Sequence, residues 1–465
     1  MSETLEQMPI QQTPEEITPK EQTLEETTPS APTFKQAFWY WLKLGFISFG
    51  GPAGQIAIMH KDLVEDKRWI SEQRFLHALN YCMVLPGPEA QQLATYIGWL
   101  MHKTPGGLIA GGLFLLPSLF ILMALSYIYM RFGNSLLVAG VLYGVKPAVV
   151  AIVLFAAYRI GSRTLKNKAL WAIAAASFLA ITLLKLPFPL IIGLAALIGY
   201  MGNRFAPKIF SGSGGHKAAD KSYGKAVIDD DTPTPAHAHF SRRGLVKFLA
   251  IGFTIWLLAV ALLTAIYDWQ SIYAQMAWFF TKAALLTLGG AYAVLPYVYQ
   301  GAVTHYAWLT PKQMMDGLAL GETTPGPLIM VVAFVGFVGG WQHAALYSPL
   351  ISAIIAACVV TFFTFLPSFI FIFMGAPFIE STKNNLKLGA PLTAITAAVV
   401  GVIVALALFF AQHVFWPNHT TIDWLAILAA VLGFVALIKH KLNTLHLIGA
   451  FALLGFLHSL LKISG

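Results

Sequence analysis

The chain has 465 residues, of which 57% are hydrophobic and only 11% are charged, and its formal net charge at pH 7 is +9. Soluble domains carry roughly 25% charged residues, so this composition excludes a soluble globular protein. Apolar stretches of about 20 residues, the length that spans a bilayer, recur from Ala37 to Lys462. We therefore predict an all-α polytopic integral membrane protein.

The N-terminal segment, residues 1–35, is expected to be a disordered tail. It is rich in Thr, Pro and Glu, and it lacks the basic start and the apolar core of a signal peptide. Because the tail is acidic, the rest of the chain is more basic than the net charge indicates. A basic membrane domain suits an anionic substrate, although positively charged cytoplasmic loops also account for it.

Residues 36–203 form the first of two predicted repeats. We assign it four passes and a returning pair of helices, at 36–59, 73–101, 105–130, 134–158, 169–185 and 188–203.

Residues 204–243 are predicted to be a flexible cytoplasmic linker, because glycine, serine and proline are frequent there. The linker histidines have no acid or cysteine at ligand spacing, so we expect them to be solvated, with no metal and no cofactor. They are His216, His237 and His239.

Residues 244–465 form the second predicted repeat, which begins with one extra helix. Its predicted passes are 245–267, 271–299, 312–340, 349–375, 388–413, 422–438 and 443–462. This assignment gives thirteen crossings in total, and as few as about ten if the glycine turns described below are re-entrant hairpins.

An internal repeat supports this division, because residues 43–88 align without a gap on residues 282–327 at a constant offset of 239. The matches fall on residues that break or bend helices. They pair Gly50-Gly51 with Gly289-Gly290, Pro86-Gly87-Pro88 with Pro325-Gly326-Pro327, and Leu116-Pro117-Ser118 with Leu366-Pro367-Ser368.

The basic residues predict that the two repeats have inverted topology. The end of the first repeat holds four basic residues between Arg159 and Lys168, whereas the corresponding stretch of the second, 412–421, holds no Lys or Arg. Positive residues near short loops tend to stay cytoplasmic. The same structural position therefore faces opposite sides of the membrane, as in many secondary transporters. We expect a cytoplasmic N-terminus and a periplasmic or extracellular C-terminus.

The two Pro-Gly-Pro sequences, 86–88 and 325–327, interrupt apolar stretches and predict broken helices. A broken helix leaves backbone groups free, which is tolerated in a membrane only inside protein or beside a water-filled cavity. A half-helix that begins at such a break aims N–H groups and a positive dipole end at the cavity, which suits a tetrahedral oxyanion. A simple packing kink is the alternative.

Two glycine pairs and two lysines complete the predicted substrate site. Gly50-Gly51 and Gly289-Gly290 allow close approach of a ligand, or of a neighbouring helix. Lys43 and Lys282 lie a few residues before these pairs in apolar runs, where a buried charge is costly. Each lysine either attracts the anion or reaches the interface.

The acids nearest the breaks are Glu89 and Glu322, and they are our candidates for coupling transport to protons. A carboxylate in a poorly hydrated cavity binds a proton more readily. The alternative is that each caps a half-helix or pairs with a lysine. Thr323 and Thr324 could add uncharged donors.

The motifs Phe49–Ala53, Leu85–Pro88 and Thr323–Pro327 resemble the signatures of the chromate transporter family in its long, two-domain form. The resemblance covers both halves, about 36–415. It implies a bacterial or archaeal cytoplasmic-membrane protein of two oppositely oriented domains, which expels chromate, confers chromate resistance and draws energy from the proton motive force. The second copy departs from the first in having Ala291 where the first has Pro52.

Two other functions compete with a chromate carrier. One is a passive oxyanion channel. The other is a membrane phosphatase acting on lipid diphosphates, which would need an acid, a histidine and an arginine clustered at the break. We expect no enzyme activity and no nucleic-acid partner. The expected partners are the lipid bilayer and a small oxyanion, either chromate or its isostere sulfate, while self-association is left open.

Overall fold

The computed structural model describes residues 29–133, 135–205, 223–288, 290–344, 348–381, 389–417, 421–440 and 442–464. Within these ranges the chain forms sixteen α-helices and no strands. The predicted all-α class is therefore confirmed. The predicted tail lies largely outside the described residues.

The first half contains seven helices, and the second half contains nine. The first seven are α1 (Phe34–Ile47), α2 (Gly51–His60), α3 (Glu72–Cys82), α4 (Glu89–Phe132), α5 (Leu136–Thr164), α6 (Lys168–Thr182) and α7 (Phe188–Phe205). The others are α8 (Arg242–Tyr267), α9 (Ile272–Leu285), α10 (Ala291–Tyr299), α11 (Pro311–Thr323), α12 (Val331–Gln342), α13 (Pro349–Ser381), α14 (Gly389–Phe415), α15 (Trp424–Lys439) and α16 (Thr444–Ser464).

Seven of the described helices are long and apolar enough to cross a membrane: α4, α5, α7, α8, α13, α14 and α16. Three more apolar segments are shorter, at α6, at residues 328–342 and at α15. Many large apolar side chains on these helices face outward, as expected where lipid replaces water. The chain is a multi-pass membrane protein.

The helices of the two halves correspond in order. Helices α1, α2 and α3 match α9, α10 and α11, and both α2 and α10 continue into a π-helical turn, at Lys61–Asp66 and Gln300–His305. Helix α4 is broken by non-helical backbone at His102 and Lys103, so it matches α12 and α13 together. Helices α5, α6 and α7 match α14, α15 and α16, and α8 is the extra helix.

The predicted passes 36–59 and 271–299 are not straight helices, because each folds back at its glycine pair. Gly50 has a left-handed φ of 88°, which reverses the chain between α1 and α2. The ring of Trp69, beyond α2, then meets Tyr40 in the middle of α1 at 5.2 Å. In the second copy Trp308 lies 5.6 Å from Phe279 in the same way. Each stretch is a hairpin, and the chain that follows it packs against the middle of its first helix.

Each repeat packs its last two helices on the other repeat. Helices α6 and α7 lie against α14, and α15 and α16 lie against α5. Small residues bring these backbones close: a Cβ on Gly144 of α5 would lie 2.1 Å from the carbonyl oxygen of Phe451, and one on Gly401 of α14 would lie 2.0 Å from that of Ala174. Such close approach lets apolar helices associate through dispersion contacts.

Part of the predicted linker is docked on the first repeat, although residues 206–222 lie outside the described chain. Ile228 forms an isolated bridge with Ile70, and the Ser71 hydroxyl donates to Asp230 at 2.5 Å. His237 Nε2 contacts the carbonyl oxygen of Trp99 at 3.0 Å. The start of α3 and the end of the first part of α4 therefore lie on one face, which we call the linker face.

Candidate functional site

The two Pro-Gly-Pro breaks meet the glycine turns of the opposite repeat through a matched pair of hydrogen bonds. The backbone N–H of Gly87 donates to the carbonyl oxygen of Thr287 at 2.7 Å, and that of Gly326 donates to the carbonyl oxygen of Ser48 at 2.8 Å. Donors and acceptors are related by the offset of 239 residues. The structure thus brings both breaks together at the contact between the repeats.

Both central glycines are required by conformation and by space. Gly87 has φ of 130° and Gly326 has φ of 99°, in the region that side chains disfavour. A Cβ on Gly87 would lie 2.3 Å from the hydroxyl of Ser368, and one on Gly326 would lie 2.8 Å from the Cβ of Ser118. These serines belong to the matched Leu-Pro-Ser sequences, so each break packs on the long helix of the other repeat.

Four helical segments begin at the breaks or at the glycine turns that they meet, and none of them has a side-chain cap. They are α2 after Gly50, α4 after Pro88, α10 after Gly290, and the 3₁₀ turn Leu328–Met330 that leads into α12. Seven helices that begin elsewhere are capped by a side chain, at Thr33, Ser71, Asn167, Ser241, Ser271, Thr310 and Asp423. Helix α5, after Ser135, also lacks a side-chain cap. Uncapped helix starts present free N–H groups and a positive dipole end, and four of them lie at this contact.

Buried glutamines surround the same region. The Gln55 amide donates to the carbonyl oxygens of Gly326 at 2.5 Å and Ser48 at 3.3 Å. The Gln92 amide donates to the carbonyl oxygen of Pro86 at 2.7 Å. The Oε1 atoms of Gln55, Gln91 and Gln92 are buried without a hydrogen-bond partner among the described residues. An unpartnered buried polar atom is costly, so these side chains indicate that the region holds water or a polar ligand.

Two carboxylates, one from each repeat, lie at the breaks. Glu89 begins α4, and its Oε1 lies 3.8 Å from where a Cβ on Gly290 would be. Glu322, near the end of α11, accepts a hydrogen bond from the Tyr292 hydroxyl at 2.6 Å. Both carboxylates lie within electrostatic range of Arg159 on α5, and both keep part of their surface exposed.

The site is more open on the side of the first repeat. Gly51 has no atom within 4 Å of its missing Cβ, whereas Gly290 has the Glu89 carboxylate near that position. Ala53 of α2 is exposed, while its counterpart Tyr292 and the following residues of α10 pack against α14. Open space therefore remains at Gly51 of the first glycine pair.

Most of the predicted site residues are gathered here. The prolines and glycines of both breaks, Gly50, Gly51, Gly290, Glu89 and Glu322 lie at this contact, while Gly289 lies outside the described residues. Thr323 and Thr324 flank the second break, but their hydroxyls donate to the carbonyl oxygens of Leu320 and Gly321. Their hydrogens are thus engaged within α11.

The two predicted lysines are not brought to the breaks. Lys43 is exposed on α1. Lys282 lies over the ring of Trp278 at 5.4 Å, and Trp278 is itself exposed. Trp39 stands four residues before Lys43 as Trp278 does before Lys282. This arrangement is typical of a lysine that reaches the membrane interface beside an aromatic anchor.

Arg159, Tyr292 and Gln55 were missed from the sequence. Arg159 was counted among the basic residues of a loop, but it lies within α5, which continues to Thr164. A basic side chain more than one turn inside an apolar helix was the available signal. Tyr292 and Gln55 follow the glycine pairs closely, and only the folded-back hairpins show that they face the breaks.

Comparison with known proteins identifies the family. The model of the family described as "Chromate transporter" matches residues 35–200 and 274–456. A chromate transport protein of Cupriavidus metallidurans is 30% identical over 92% of this chain and 94% of its own length. One of Pseudomonas aeruginosa is 32% identical over 92% and 93%, and an uncharacterized transporter of Methanocaldococcus jannaschii is 25% identical over 92% and 94%. No solved structure matches the chain. The two matched regions lie in the two repeats, and each includes one Pro-Gly-Pro break. The chain therefore belongs to the chromate transporter family.

Proposed function

We propose that this protein is a secondary transporter that exports chromate across the cytoplasmic membrane and so confers chromate resistance. The observation that carries the proposal is the convergence of four uncapped helix starts at the contact between the two breaks. Each helix start favours a nearby anion by about 0.3–1 kcal/mol, and by more where burial excludes water. The relatives named as chromate transport proteins supply the choice of anion.

Arg159 is the cation that we assign to the substrate. No carboxylate lies within 4.0 Å of its guanidinium among the described residues. Its planar fork of donors matches two oxygens of a tetrahedral oxyanion. Sulfate has the same charge and shape as chromate, so we expect sulfate to compete.

We propose nine membrane crossings with inverted repeats, in place of the thirteen predicted from the sequence. The crossings are α4 after its kink, α5, α6, α7, α8, α13, α14, α15 and α16, and the remaining helices form re-entrant hairpins. Arg163 ends α5 at the linker face, which we place in the cytoplasm by the positive-inside rule. The hairpins of the first repeat then enter from the cytoplasm and those of the second from outside, and the C-terminus is periplasmic.

We assign proton coupling to Glu89 and Glu322. Both lie at the breaks and share the electrostatic influence of Arg159. A proton on either carboxylate would remove a negative charge from the space that a dianion must enter. A dianion that leaves a cell with a negative interior also gains roughly 2 × 2.3 kcal/mol per 100 mV, so the membrane potential favours export.

The test is chromate uptake into inverted membrane vesicles, with and without a proton gradient and with sulfate as competitor. We expect gradient-dependent uptake that Arg159→Gln reduces at least tenfold, while Arg163→Gln, one turn further along α5 and exposed, changes it less than twofold. Glu89→Gln and Glu322→Gln should weaken the response to the gradient.

Three results would contradict parts of this proposal. Uptake that ignores the proton gradient in the unaltered chain would favour a passive channel. Full activity in Arg159→Gln, with loss in Lys43→Ala and Lys282→Ala, would move the anion site to the lysines. Labels introduced at Arg163 and at Trp416, which lies just beyond the end of α14, should be accessible from opposite sides, and accessibility from one side would refute the inverted topology.

A further inference from the structure

A second group of charged residues lies in a cleft between α4, α5 and α11, away from the linker face. The cleft has a volume of about 170 Å³, which is room for several waters at roughly 30 Å³ each. Its lining includes Tyr129, Lys146, Lys312, Gln313 and Asp316. Two ammonium groups thus face one carboxylate.

The carboxylate of Asp316 is held on one side only. Its side chain is 1% exposed, and its Oδ2 accepts a hydrogen bond from the Tyr129 hydroxyl at 3.0 Å. Its Oδ1 has no hydrogen-bond partner among the described residues, although Lys146 Nζ stands 4.0 Å away. That distance is too long for a hydrogen bond, so the pair is loose.

Lys146 is therefore an ammonium with unused donors at the edge of a cleft. Its side chain is 19% exposed, and none of the described hydrogen bonds uses its Nζ. The charge of Lys312, which is exposed on α11, acts on both members of the pair. The Gln313 amide oxygen accepts from the backbone of Thr310 at 2.8 Å, which leaves its NH₂ group as a further donor.

We infer that this cleft is a second binding site for a tetrahedral dianion. When the anion binds, the ammonium group of Lys146 turns from the Asp316 carboxylate to the anion. The inference rests on the proposed function, because the ligand is the transported anion. Tyr129 keeps Asp316 in place when Lys146 turns to the anion, and Lys312 adds the second positive charge. The Asp316 carboxylate competes with the anion for Lys146, which keeps the affinity of the site low.

The position of the cleft suits release of the anion. Asp316 and Glu322 lie on the same helix, six residues apart, which is about 9 Å along the axis at 1.5 Å per residue. Helix α11 also packs against α5, between the breaks and the cleft. The position of Lys146 corresponds to Ala390 in the second repeat, so the matching place at the linker face has no such lysine.

The first experiment measures binding of radiolabelled sulfate and chromate to the full chain in lipid nanodiscs. We expect two classes of sites, one at the breaks and one in the cleft. Lys146→Met should remove the cleft class alone, and Arg159→Gln should remove the other alone. Asp316→Asn should tighten the cleft class three- to tenfold. If the pair only stabilises the fold, Asp316→Asn and Lys146→Met should both lower thermal stability, and neither should change the number of sites.

The second experiment locates the site by protection of a thiol. In a Cys358→Ser background, Ala139→Cys places a reactive group on the exposed lining of the cleft, and sulfate should slow its labelling by a membrane-impermeant reagent at least threefold. Sulfate is the probe because chromate oxidises thiols. Adding Lys146→Met should abolish the protection.

The two experiments separate failure of the inference from failure of the proposed function. Normal chromate transport with one class of sites, no effect of Lys146→Met on binding and no thiol protection would overturn the cleft site and leave the transporter proposal standing. Loss of transport and of all anion binding in the unaltered, folded chain would overturn both.

Discussion

Replacement of Gly87 by alanine tests the contact between the two breaks most directly. Gly87 combines a φ of 130° with a Cβ position 2.3 Å from the Ser368 hydroxyl and 2.5 Å from the Gln92 amide nitrogen. The backbone strain costs about 1–3 kcal/mol, and the crowding costs about 1–3 kcal/mol more. We expect Gly87→Ala to lower the free energy of unfolding by about 2–6 kcal/mol in total.

The assay is unfolding of the purified chain by a denaturing detergent, read beside chromate uptake in vesicles. Gly112→Ala is the matched control, because Gly112 is a helical glycine in α4 with no atom within 4 Å of its missing Cβ. This control should be neutral or slightly stabilising, since alanine favours a helix by about 0.5–1 kcal/mol over glycine. Both variants should be measured at equal surface expression.

A second substitution separates strain from crowding. Ser368→Ala removes the hydroxyl that a new Cβ on Gly87 would strike, so Gly87→Ala combined with Ser368→Ala should recover about 1 kcal/mol or more relative to Gly87→Ala alone. The remaining deficit measures the strained backbone together with the crowding against the Gln92 amide. If Gly87→Ala is as stable and as active as Gly112→Ala, the described packing of the first break against the opposite repeat is wrong.

Two further predictions concern other contacts. A Cβ on Gly111 would lie 2.2 Å from the Thr95 hydroxyl, so Gly111→Ala should reduce chromate uptake severalfold in the same assay that leaves the adjacent Gly112→Ala active. Burial lowers the pKa of His237 from its ordinary 6.5, so the docked linker binds protons less readily than the released one. Docking is therefore strongest above pH 6.5 and weakens as the pH falls below it. Limited proteolysis of the linker should increase on acidification. This increase should be smaller in His237→Gln, whereas the control His239→Gln should show the same increase as the parent. Equal acid sensitivity in all three proteins would contradict the role of His237.

The repeat in the sequence was sufficient to predict the breaks, because helix-breaking residues recur at a fixed offset. Pro86–Pro88 and Pro325–Pro327 do end their helices, and Glu89 and Glu322 do lie beside them. Local chemistry determines these features, since proline removes a backbone donor wherever it stands. The pairing of each break with the opposite glycine turn depends on tertiary contacts. A local sequence pattern does not show which distant segment a break will contact.

The orientation of charged side chains was harder to predict. Hydropathy shows that Lys43 lies in an apolar run, but it does not show which face of α1 carries the lysine, and the structure turns it outward. The predicted pass 134–158 left Arg159 outside the helix, whereas α5 continues to Thr164. Residues 223–238 have the composition of a linker, yet backbone hydrogen bonds such as that from Val227 to Arg68 hold part of them in place.

The exchange of helix pairs between the repeats has a consequence for how the protein is made. Helix α16, which follows the other described helices along the chain, lies along α5, with Gly455 of α16 against Gly140 and Gly144 of α5. Until α16 is inserted, α5 presents a small-residue surface to lipid. Until α14 is inserted, α6 and α7 lack the helix against which they pack. Assembly of the first half in the membrane therefore waits for helices of the second half, and neither half reaches its final form ahead of the other.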